Sequence, residues 1–122
     1  MKAIRITTDD RISLVDIRNT YGDMSDALGG VTIEFVRPAF AAPGTVLAVD
    51  ESGIPKGLAP NRCASLMYGT QYHGSPIVGD VLVLRTGTDS YGAPDYVPYP
   101  DAEAEKVKQT LTRNHPFLKE NA

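Results

Sequence analysis

The chain has 122 residues, with 12 Lys and Arg against 15 Asp and Glu, a net charge of −3, 42% hydrophobic and 22% charged residues. That is enough for one hydrophobic core but not two domains, and it excludes an intrinsically disordered chain. The sparse, scattered basic residues argue against a nucleic-acid partner, and no apolar run approaches the ~20 residues of a membrane span.

Taken in chain order, Met1 to Thr7 alternates like a strand, and the N-terminus lacks the apolar stretch of a secretory signal. Thr8–Arg11 reads as a turn, because short polar side chains such as Asp9 and Asp10 bond the local backbone and tolerate unusual φ. Ile12–Asp16 returns as a second strand. Asn19 or Thr20 then caps a short helix with Met24, Ala27 and Leu28 on one face, stopped by Gly29-Gly30. Val31–Phe35 alternates with Glu34 outward, and Thr45–Val49 forms a further strand closed by the turn Asp50–Gly53.

Asn61 is a natural N-cap for a second short helix, whose apolar stripe is Cys63, Leu66 and Met67. Val81–Leu84 is apolar on both faces, which fits a central strand covered on both sides. Residues 86–100 show neither a helical nor a strand period and read as an irregular Tyr/Pro/Gly loop. A C-terminal helix over residues 101–115 follows, ended by His115-Pro116. The order β-β-α-β-β-α-β-α predicts a single α+β domain over residues 1–122. Its sheet is mostly antiparallel, of about five strands, with two short helices and a C-terminal helix.

The inventory for catalysis is thin. A Cys63–His73 pair is the one nucleophile–base combination available, and Cys63 on an apolar stripe is better explained as a small core residue. As the single cysteine it forms no internal disulfide, which points to a reducing, cytoplasmic setting. Glu34, Asp50 and Glu51 can approach one another only if their strands pair, and turn composition alone accounts for Asp50-Glu51. No phosphate-loop or calcium-loop spacing occurs, so no cofactor and no metal are expected. Five of the six tyrosines lie between residues 68 and 99, and Tyr91, Tyr96 and Tyr99 within 86–100 are compatible either with rings lying flat on the domain along a path stiffened by Pro94, Pro98 and Pro100 or with an adaptable binding loop.

Four segments, Leu28–Glu34, Val49–Gly53, Pro60–Ala64 and Ile77–Val83, carry the pattern GG-x-x-IE, DE-x-G, N-x-x-A and GD-x-x-V. Together they resemble the family called domain of unknown function 3846, over roughly residues 1–85. The resemblance implies a bacteriophage or mobile-element origin and a host-cytoplasm location, and it assigns no activity. The tyrosine segment and last helix look like additions to it. The leading expectation is a non-catalytic accessory protein that binds a host protein through Tyr91, Tyr96 and Tyr99, with Glu34, Asn61 and Arg62 as further binding candidates. The alternative is an oligomeric sponge for a small nucleotide-like signal, with Arg37, Arg62 and Arg85 as anion contacts and tyrosines for stacking. A small enzyme using Cys63, His73 or the carboxylates comes third. A homo-oligomer through an edge strand or the last helix is compatible with either binding role.

Overall fold

The computed structural model describes residues 1–89 and 91–120; Ser90, Asn121 and Ala122 lie outside them. The strands are β1 (Lys2–Ile6), β2 (Arg11–Asp16), β3 (Ile33–Val36), β4 (Thr45–Asp50), β5 (Val81–Thr88), β6 (Pro94–Val97) and β7 (Lys119–Glu120). The helices are α1 (Tyr21–Ala27), α2 (Arg62–Tyr68), α3 (Thr70–His73) and α4 (Asp101–Asn114). The fold is α+β. Among the described residues one sheet has seven strands rather than five, in the order β3-β4-β5-β1-β2-β7, with β6 also on β5. All pairings are antiparallel except β2 with β7.

β5 organises the sheet. One edge pairs with β4 from Leu82 to Arg85. On the other edge its start pairs with β1 and its end with β6, so two strands share that edge. A bridge between Lys2 and Tyr99 joins them, with both backbone bonds at 2.8 Å. Val81, Leu82, Val83 and Leu84 are wholly buried, as expected of a strand covered on both faces. Val81 and Val83 join Ile4, Ile6 and Leu47 in a core closed by Met67 of α2 and Leu111 of α4. Leu82 and Leu84 join Val46, Ala48 and Ile33 in a second core closed by Met24 of α1.

Local chemistry explains most of the boundaries. The Thr20 side chain accepts the Asp23 N–H and starts α1, and Asn61 does the same for α2 through Ala64. Asp10 adopts φ 62 in the β1–β2 turn. Residues 86–100 are not an irregular loop. They complete β5, turn, and return as β6. The Asp89 carboxylate accepts the N–H of Tyr91 at 2.8 Å and of Ala93 at 2.9 Å, which fixes the turn. Alternation is hard to see there because the strand face carries Arg, Thr and Gly rather than apolar residues. α4 begins after Pro100, and Asp101 stands in its first turn beside the chain's amino group.

Candidate functional site

The segments that carry the sequence pattern meet at one corner of the sheet, and there they hold structure. Asn61 is completely buried. Its Nδ2 donates to the carbonyls of Ile6 and Gly79, each at 3.0 Å, and its Oδ1 accepts from the Ala64 N–H at 3.1 Å. One amide therefore ties β1, α2 and the entry to β5 together, and every polar atom has a partner. The Asp80 carboxylate accepts from the Thr8 N–H at 3.0 Å. Asp50 accepts from Lys56 Nζ at 2.7 Å and from the Ser52 N–H, and the lysine holds its carboxyl below the usual range. Gly79 has φ +80 and lies where a Cβ would stand 2.9 Å from Leu58 Cδ1, so the chain passes only as glycine.

Several sequence expectations therefore change. Asn61 is not a ligand contact, because it is sealed inside. Glu34 is exposed opposite Val49, and no described group of three or more His, Cys, Asp or Glu is arranged to hold a metal ion. Arg62 lies over the Phe117 ring at 3.8 Å and anchors the segment after α4. The tyrosines do not form one surface. Tyr91 is 94% exposed at the tip of the β5–β6 turn, whereas Tyr99 is 4% exposed and its hydroxyl donates to the Leu84 carbonyl at 2.9 Å. Tyr96 points to the opposite face of the sheet, against Phe35 at 4.6 Å with Arg37 over its ring. The strand period turns the side chains of a hairpin alternately to the two faces, which a linear spacing of tyrosines conceals.

Cys63 is not poised as a nucleophile. It is fully buried, its hydrogen-bond partner is the Met67 sulfur at 3.9 Å, and burial pushes the thiol up to about 12. His73 is exposed and its Nδ1 accepts from the Ser75 N–H at 3.1 Å.

A cleft lies elsewhere, between α4 and the Phe40–Thr45 segment, with a volume of about 700 Å³. Val83, Arg85 and Tyr99 line it from the sheet, and Glu103, Lys106, Thr110 and His115 from the helix side. The period of β5 places Arg85 on the same face as Val81 and Val83, at a position due for an apolar residue. Its Nε is buried without a hydrogen-bond partner, and no described residue pairs with its guanidinium or with Lys106 in an ion pair. An unmade hydrogen bond on a buried polar atom is costly, and of the three such atoms among the described residues, Arg5 Nε, Asp10 Oδ1 and Arg85 Nε, it is that of Arg85 whose residue lines this cleft. Burial pushes the nearby Tyr99 phenol up to about 12, helped by the Glu103 charge and opposed by Arg85. Burial likewise lowers His115, which favours the neutral ring.

Lys106, Glu103 and the helical wall escaped the sequence reading. The available signal was the interruption of the β5 run by Arg85, together with a polar stripe at Glu103, Lys106, Thr110 and Asn114 on α4.

A match to the domain of unknown function family DUF3846 covers residues 1–112. The chain belongs to the DUF3846 family. The match runs past residue 85 and through most of α4, so the hairpin and the cleft wall are part of the family domain rather than additions. Neither the comparison with curated proteins nor that with solved structures gives a match. Among the described residues no helix is long and apolar enough to cross a membrane.

Proposed function

We propose that this DUF3846 protein is a non-catalytic binding protein that holds a small anionic organic molecule in the cleft beside α4. The observation that supports this reading is the Arg85 Nε, buried and unpartnered in a cleft of about 700 Å³. That volume is within the range of small-molecule sites, ~300–1,000 Å³, and the wall mixes apolar side chains with charged and hydroxyl-bearing ones. Lys106 adds a second cation without an ion-pair partner among the described residues. The cleft is complete within one chain. The resemblance to bacteriophage and mobile-element proteins fits a role in sequestering a ligand in a host cytoplasm, as a monomer or a homo-oligomer.

A thermal-shift panel of phosphorylated and carboxylated small molecules tests the reading. A true ligand at 100 times its Kd stabilises the fold by about 2.7 kcal/mol. Wild-type protein is expected to shift with at least one anion, and the Arg85→Met variant to shift clearly less with the same anion at the same concentration. Equal shifts in both, or no shift across the panel, overturn it.

One observation favours a second reading, in which the chain binds a host protein. Tyr91 is almost fully exposed on a turn made rigid by Asp89, an arrangement suited to insertion into a partner's pocket. A pull-down from host lysate with wild type and Tyr91→Ala checks it: partners held by wild type and lost by the variant support it, and the same proteins in both remove it.

A further inference from the structure

We infer that the ligand of the α4 cleft is a phosphorylated nucleoside, its base stacked on Phe40 and Tyr72 and its phosphate held by Arg85. This rests on the reading of the cleft as an anion site and adds the chemical class of the ligand. Phe40 lines the cleft, yet it is 57% exposed. Tyr72 on α3 is 76% exposed, and the two rings are stacked with centroids 5.1 Å apart and an interplanar angle of 22°. Such a pair contributes little to the core, since most of both rings faces water.

The platform is nevertheless held in place. The Phe40 N–H donates to the Met67 carbonyl at 2.9 Å. Its ring is seated on Gly69, where a Cβ would come within 2.8 Å of Cε2 and where φ is +98. A rigid, wet, parallel aromatic pair presents a flat apolar face, and heteroaromatic bases stack on such faces with little regard to their identity.

The same segment connects this platform to the cation. Thr45 pairs directly with Arg85 across the sheet, and Phe40 stands at the other end of Phe40–Thr45. Ring and guanidinium thus line one cleft, and the hydroxyl of Thr110 and the amide of Asn114 line it from α4. A simple inorganic anion would use the cation and leave the platform bare. A planar uncharged molecule would leave the buried Nε unpaired. A nucleoside phosphate meets both demands.

Calorimetric titration with adenosine monophosphate, guanosine monophosphate and ribose 5-phosphate separates the possibilities. Wild type is expected to bind at least one nucleotide about tenfold or more tightly than ribose 5-phosphate, within the range of base–aromatic stacking. The Phe40→Ala, Tyr72→Ala double variant should erase that preference and leave ribose 5-phosphate unchanged. Its melting temperature verifies that it folds, as two exposed rings allow, and the single Tyr72→Ala variant should lose part of the preference with less risk to the cleft. Equal affinity for sugar phosphate and nucleotide, with both dependent on Arg85, overturns the inference and keeps the anion site. A preference that survives the double variant also overturns it, as does absence of binding by all three probes, and the wider panel of phosphorylated and carboxylated molecules then decides the anion site by itself.

Discussion

The corner around Asn61 and the cleft beside α4 use the same kinds of polar group to opposite ends. At the corner each one is satisfied: Asn61 makes its bonds to Ile6, Gly79 and Ala64, Asp80 to Thr8, and Asp50 to Lys56. In the cleft, Arg85 and Lys106 have no ion-pair partner among the described residues, and the buried Nε of Arg85 makes no hydrogen bond. A satisfied buried network rigidifies a fold, whereas an unsatisfied polar atom carries a cost that a new partner would relieve. The recognisable sequence pattern therefore reports how the sheet is held, and the candidate chemistry lies where that pattern is silent.

The hardest test of this contrast is Asn61→Ala. It strands two carbonyls and an N-cap N–H in the core, and the expected loss is about 3 kcal/mol, read as a fall of roughly 10 °C or more in melting temperature. Replacement without a measurable change would mean that the corner carries no structural weight. Arg85→Met sharpens the other side. The methionine keeps the apolar stem and removes the orphaned charge, so stability should stay within about 0.5 kcal/mol or rise while anion binding falls roughly 10- to 100-fold. A large loss of stability would place Arg85 with the corner residues instead.

A smaller effect is expected from Glu103→Gln. That carboxylate faces the cleft, and its removal should tighten anion binding roughly two- to fivefold at low salt, with the gain shrinking as salt is added. Unchanged affinity at every ionic strength would place the anion away from the first turn of α4.

The smallest concerns a paired charge outside both regions. The Arg18 guanidinium and backbone N–H draw Asp23 from 3.8 down to about 2. Because the folded value is the lower one, its stabilisation is present above the ordinary carboxylate range and is lost as pH falls from about 4 towards 2. Acid titration of Arg18→Ala should show a flatter decline than wild type across that window, and an identical decline would dismiss the pair.

How much of this was legible beforehand differs between elements. Thr20 and Asn61 as caps, Asp10 in a left-handed turn and β5 as the doubly covered strand all follow from local rules, and the structure contains each. β6 was read as loop because its partners are supplied by β5, not by its own alternation. β7 is too short to carry any period and exists only because α4 delivers it to the edge of β2. Among site candidates, Arg85 was visible as a scattered cation, but its lack of a partner was not. The stacked pair was invisible as a unit, since Phe40 and Tyr72 are far apart along the chain and meet through Gly69.

The sequence by itself determined the starts of α1 and α2, the turn at Asp10, the two apolar faces of β5 and the family, because each depends on neighbours within a few residues or on a linear pattern. The tertiary structure alone decided which polar groups are satisfied. Asn61 is wholly buried and Arg85 half-buried with its Nε enclosed, and only the approach of distant backbone carbonyls to one and their absence from the other make the first a brace and the second a candidate for binding.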